Sequence, residues 1–118
     1  MMRPEPSHID FVIFHANCSD GFGAAWAAWK LLGNKATYFA ATHGDPPPNV
    51  IGKNVAILDF SYSSDVTKEM IRDASSLIVL DHHKSAMIAL RDIPNAQFDM
   101  TKSGAMLSWE FFHPGKEP

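Results

Sequence analysis

Leu77–Lys84 reads Leu-Ile-Val-Leu-Asp-His-His-Lys, and no other stretch constrains the chain as strongly. Four apolar residues, β-branched at their centre, run without polar alternation into a carboxylate, two imidazoles and an amine. So short an apolar run, lacking a period of two, predicts a strand covered on both faces, as strands are inside a parallel sheet. The polar cluster then falls at the strand's carboxyl end. In open parallel sheets ligands bind in the crevice outside those ends.

The rest of the chain fits such a sheet. Residues 1–8 are polar and proline-punctuated and suggest a loose arm. Ile9–His15 predicts a first strand ending on a histidine, and Ala16–Gly21 a loop carrying Cys18, Asp20 and Gly21. Phe22–Leu32 predicts a helix stopped by Gly33-Asn34. Its Phe22, Ala25, Trp26 and Trp29 fall at helical spacing and are expected to face the sheet, with both tryptophans in the core. Ala36–Ala40 is a second predicted strand. The loop His43–Asn49 holds Pro46-Pro47-Pro48, which leaves no room for a crossover helix.

Val55–Leu58 predicts a third strand, ending on Asp59. Ser64–Ala74 predicts a helix capped by Ser63 or Ser64, with Val66, Met70 and Ile71 on its apolar face. After the strand Leu77–Leu80 come a short helix at Ser85–Leu90, a brief strand at Gln97-Phe98 and a helix at Ser103–Phe112 ended by Pro114-Gly115. This alternation predicts an α/β domain over residues 9–118, with a doubly wound, mainly parallel sheet and helices on both faces.

Composition narrows the function classes. A chain of 118 residues, 46% hydrophobic, suits a single core. The net charge of −3 speaks against a broad basic nucleic-acid surface, though not against a local patch. Cys18 is the only cysteine, so no intrachain disulfide forms, which suits a reducing cytoplasm. No run of about 18 apolar residues is present to span a membrane.

Three predicted strands end on His15, Asp59 and Asp81-His82-His83, and Asp20 follows the first closely. A parallel sheet gathers His15, Asp20, Asp59, His82 and His83 at one mouth. Taken singly, Asp59 is a turn former, His15 a core histidine and Cys18 an apolar filler. Their joint placement on successive strand ends points to a metal. Mixed imidazole and carboxylate suit Mn²⁺, Zn²⁺ or Fe²⁺, and the oxygen share favours Mn²⁺ or Mg²⁺. A carboxylate bridging two cations about 3.5–4 Å apart is the arrangement used in phosphoryl transfer. Ser103-Gly104-Ala105 at a helix start reads either as a phosphate cradle of free N–H groups or as an ordinary cap. Asp10, Asp65, Asp73 and Asp92 read as solvated charges.

At this point the chain resembles the DHH phosphoesterases. Asp81-His82-His83 is similar to their signature, Phe14–Phe22 (Phe-His-Ala-Asn-Cys-Ser-Asp-Gly-Phe) to their first motif, and Leu58-Asp59-Phe60-Ser61-Tyr62 to their second. Asp99–Phe112, with Ser103-Gly104-Ala105, resembles the loop and helix that follow the third. The resemblance covers nearly everything from residue 9 onward. It implies a Mn²⁺-dependent hydrolase of phosphodiester or phosphoanhydride bonds. Relatives include short-oligonucleotide RNases, single-strand DNA exonucleases, exopolyphosphatases and family II pyrophosphatases.

By that resemblance His15 and Asp59 hold one metal, and Asp20, Asp59 and His82 the other. His83 contacts the substrate phosphate, as Ser103 and Gly104 would from their helix end, and Asp81 orients the histidines. Cys18 stands where most of the family has an acid, and a thiolate is a soft ligand for Mn²⁺. The family's fourth motif and substrate-gripping second domain have no counterpart in these 118 residues, so the chain reads either as the N-terminal part of such an enzyme or as a minimal relative that borrows what it lacks. The other reading is a catalytically silent metal- or nucleotide-binding module on the same scaffold. The apolar residues crowded into Ser103–Phe112 predict self-association through that helix.

Overall fold

The strands Phe11–His15 (β1), Thr37–Ala41 (β2), Asn54–Leu58 (β3), Ser76–Asp81 (β4) and Ala96–Phe98 (β5) form one sheet in the order β2-β1-β3-β4-β5. Every neighbouring pair is parallel. Helices Ser19–Leu32 (α1), Ser64–Asp73 (α2), Lys84–Ala89 (α3) and Gly104–Phe112 (α4) connect and flank them. This computed structural model describes residues 4–118. Residues 1–3 of the expected arm lie outside the described residues, while Pro6–His8 form a single 3-10 turn leading to the buried Ile9. Among the described residues no helix is long and apolar enough to cross a membrane.

The apolar strands are covered on both sides, which is why they show no polar alternation. Val12, Ala56, Ile78 and Leu80 pack with Ala24, Ala28, Leu32 and Phe112 of α1 and α4. Ile13, Ile57, Leu77 and Val79 turn the other way, toward Met70 of α2 and toward Val50, Phe60, Leu90 and Ile93. The Asp10 carboxylate is structural rather than merely solvated: it accepts from Asn54 N–H at 2.8 Å and ties the start of β1 to β3. Because β2 and β3 lie on opposite sides of β1, the strand order reverses there. The crevice at the carboxyl ends of β1 and β3 is the ligand position of such sheets.

Helix α1 faces opposite to the expectation. Gly21, Ala24, Ala27, Ala28 and Leu32 are its buried residues. Phe22, Trp26 and Trp29 are 70%, 43% and 51% exposed. The small-residue face permits close packing against α4: a Cβ on Gly23 would come within 2.9 Å of Ala105 Cβ. Helix α4 in turn buries Trp109 and Phe112. The Trp109 ring stacks on Trp26 and His113, and its Nε1–H donates to Lys116 O at 2.7 Å. The apolar side of Ser103–Phe112, expected to lie open for self-association, is thus largely covered within the chain. Four of the nine large exposed apolar side chains among the described residues, Phe22, Trp26, Trp29 and Leu31, sit on α1.

Candidate metal centre

Asp59 closes β3 in the left-handed region, with φ of 56°. Non-glycine residues rarely enter that region, Asp and Asn excepted. Its N–H donates to Leu80 O at 2.9 Å, which locks the turn to β4. The side chain is 2% exposed. His82 follows β4 and brings Nε2 to 2.8 Å from Asp59 Oδ1 and 3.1 Å from Asp20 Oδ2. One imidazole nitrogen therefore stands between two carboxylates supplied by β3 and α1. The Cys18 thiol, at the N-cap position of α1, points at the second Asp59 oxygen from 3.8 Å.

Asp20 belongs to the first turn of α1, not to the loop suggested by sequence. Both its oxygens are engaged by the start of α4: Gly104 N–H and Ala105 N–H each donate at 2.9 Å. A carboxylate is a favourable partner for the positive end of a helix. The phosphate cradle suggested for Ser103 and Gly104 is accordingly filled. Asp20 holds the two amides, and Ser103 Oγ accepts from Met106 N–H as an ordinary cap.

Asp81 is the second hub. Its Oδ1 accepts from His82 N–H at 2.8 Å and His83 Nδ1 at 2.7 Å, and its Oδ2 from Ser61 Oγ at 2.7 Å. A carboxylate only accepts, so His83 carries its proton on Nδ1 and leaves Nε2 for a ligand. Asp59, Asp81, His82 and His83 each offer one donor atom within 4.8 Å of the others.

The electrostatics suit a cation. Burial raises the Asp59 carboxyl above its ordinary range, and the charges of Asp20 and Asp81 push the same way against His82. Burial also acts to raise Asp20, but the Ala105 and Gly104 amides, with His82 and Asp59, more than offset it and leave that group lowered. A buried carboxylate hemmed in by two others, with imidazoles beside it, is a donor set that fits a divalent ion such as Mn²⁺.

His15 is placed at the same mouth but is not one of the four converging donors. Its Nδ1 lies 2.8 Å from Ala16 O, and it lines a cleft of about 400 Å³ with His43, Ser61, Tyr62, Asp81, His83 and others. Two of these lining residues were not singled out from sequence. Ser61 anchors Asp81. His43 follows the end of β2 by two residues, so the same strand-end rule would have found it. The Tyr62 phenol, raised to about 12 by burial and Asp45, stays protonated at neutral pH.

The fold and site define an α/β domain whose parallel sheet gathers an Asp/His cluster at its switch-point crevice. No family model and no solved structure matches the chain. It is similar to "Uncharacterized protein R106" of Acanthamoeba polyphaga mimivirus, 36% identical over 126 aligned residues covering 92% of this chain. The chain spans 30% of that relative's length.

Proposed function

We propose that this domain is a divalent-metal-dependent phosphoesterase of the DHH type, acting on phosphodiester or phosphoanhydride bonds. Short single-stranded oligonucleotides, dinucleotides and polyphosphate are the substrate classes that resemblance implies. The observation that carries the reading is His82 Nε2 set between Asp59 and Asp20 at 2.8 and 3.1 Å. An imidazole nitrogen and two carboxylate oxygens converge there on a place suited to a divalent cation.

Asp59, His82 and Asp20 would hold Mn²⁺, with His15 and Asp59 on the side of a second ion. A bound divalent ion supplies a nucleophilic water at neutral pH and polarises a phosphoryl oxygen. His83, oriented by Asp81 through Nδ1, turns Nε2 to the cleft, and in its imidazolium form that nitrogen would donate to a phosphoryl oxygen. Ser61 fixes Asp81 and so the direction of that imidazole.

Two observations favour the second reading, a silent metal-binding module. Both Asp20 oxygens already accept helix amides, and a thiol rather than an acid faces Asp59. Calorimetric Mn²⁺ titration alongside hydrolysis of bis-p-nitrophenyl phosphate separates the two. Metal-stimulated turnover lost in His82→Ala supports the enzyme. Tight metal binding without turnover favours the silent module, and no metal binding removes both.

A further inference from the structure

We infer that His43 is a second imidazole of the substrate cleft, donating a hydrogen bond to an oxyanion of a phosphate ester held there. The inference rests on the phosphoesterase reading above and adds to it a residue that none of the resembling motifs contains. His43 leaves β2 at the edge that carries the metal cluster, just before Pro46-Pro47-Pro48. Its ring is held rather than loose. It stacks on Phe60 with centroids 4.4 Å apart and meets the His15 ring edge-on at 5.4 Å. Phe60 is itself buried and adjoins Asp59, so the stack ties the β2–β3 loop to the metal cluster.

Among the described residues, these ring contacts are the partners of His43, and no hydrogen bond engages either ring nitrogen. An oriented imidazole with a free N–H is a ready donor. The cleft supplies the rest of an anion site. Of the lining groups, Ser61 and His83 donate to Asp81 and His15 to Ala16 O, so the donors left for an anion are the His43 N–H and the Ser63 and Ser85 hydroxyls, and no lysine or arginine is among the lining residues. Its carboxylate, Asp81, has both oxygens occupied. Donors without a fixed cation suit a singly charged phosphodiester, and a volume of about 400 Å³ exceeds what a bare phosphate needs.

The test uses the whole chain with Mg²⁺ as a diamagnetic ion and inorganic phosphate as the probe. Histidine ring ¹⁵N–¹H correlations and calorimetry follow the titration. Phosphate is expected to shift the His43 ring signals. His43→Phe, which keeps an aromatic ring against Phe60 but removes the donor, is expected to weaken phosphate about tenfold, the loss of one charged hydrogen bond. Its Mg²⁺ affinity should not change. His43→Ala should lose no more than His43→Phe. Equal phosphate affinity in wild type and His43→Phe overturns the assignment, as does a loss confined to His43→Ala, which would make the ring a packing element. A chain that takes no divalent ion defeats the metal reading instead. Phosphate titrated into the metal-free chain then decides, a His43-dependent signal supporting the assignment and its absence overturning it.

Discussion

Gly104 and Asp59 are steric partners: a Cβ on Gly104 would overlap the Oδ1, Cβ and Cγ atoms of Asp59. Two of those atoms are not the far end of a flexible chain, so relief requires a shift of the β3 turn or of α4. Helix propensity favours Ala over Gly by about 1 kcal/mol in a helix interior, and overpacking costs about 1–3 kcal/mol. Gly104→Ala is therefore expected to be destabilising and to weaken Mn²⁺ binding severely, because the displaced group is the central carboxylate. Urea unfolding and Mn²⁺ calorimetry check this. A variant as stable as wild type with intact metal affinity would remove the steric account.

Asp59→Asn should separate stability from function. The carboxyl is raised by burial and by Asp20 and Asp81. A raised carboxyl contributes stability while protonated and loses it as pH rises from the unfolded value through the folded one. At neutral pH the metal-free chain carries that penalty. Asn also tolerates the left-handed backbone of position 59 and can still accept from His82. The expected outcome is a metal-free protein more stable by about 0.5–2 kcal/mol that no longer binds Mn²⁺. Denaturation in EDTA at neutral pH measures the gain, and a clear loss of stability there would contradict it.

Asp20 runs the opposite way. Its depressed carboxyl contributes stability above the ordinary value of 3.8, and that contribution is lost as pH falls through the lower folded value. Asp20→Asn keeps one acceptor for α4 but removes the charge, at a cost of about 1 kcal/mol at neutral pH. The variant's stability should also fall less steeply below about pH 4. Urea midpoints recorded across the acid range in wild type and variant test the sign, and parallel curves would show that Asp20 adds nothing there.

Local pattern and long-range packing were unequally legible in the chain. The run Leu77–Leu80 declared a strand covered on both faces because its own side chains carry that information. The gathering of Asp59, His82 and His83 followed from parallel strands alone. The facing of α1 did not, since Phe22, Trp26 and Trp29 share a helical period with Gly21, Ala24 and Ala28, and either stripe satisfies it. The choice is made by α4, whose Ala105 packs beside Gly23. The same distant helix explains Asp20: nothing near position 20 reveals that its carboxylate caps amides at Gly104 and Ala105. His43 was readable by its place after β2, but the prolines behind it marked the segment only as loop.

Cys18 offers a gain-of-affinity test. The residue sits at the N-cap position of α1, makes no cap hydrogen bond, and directs Sγ toward Asp59. Aspartate is a strong N-cap and a hard oxygen donor. In the metal-free chain, however, a further carboxylate beside Asp59 is repulsive. Cys18→Asp is therefore expected to leave metal-free stability unchanged or lower while increasing Mn²⁺ affinity about tenfold. The rise in melting temperature on adding Mn²⁺ should exceed that of wild type. An unchanged rise would place position 18 away from the ion.

Two tryptophans give the sharpest test of the packing. Trp109 is 8% exposed, stacks with both Trp26 and His113, and donates to Lys116 O. Trp29 is 51% exposed and lines a shallow apolar groove with Phe14, Phe22 and Tyr38. Replacing a buried aromatic by a small residue costs about 3–5 kcal/mol, and a glutamate there adds an unpaired charge. Trp109→Glu is therefore expected to unfold the chain or leave it barely stable. Trp29→Glu should shift stability by no more than about 0.5 kcal/mol. A contiguous exposed apolar patch usually marks an interface, and here the patch lies on α1. Any self-association of the chain should consequently fall in Trp29→Glu while the fold persists. Light scattering read beside chemical denaturation of both variants checks this. A Trp29→Glu protein that unfolds like Trp109→Glu would mean that α1 packs by its aromatic face after all.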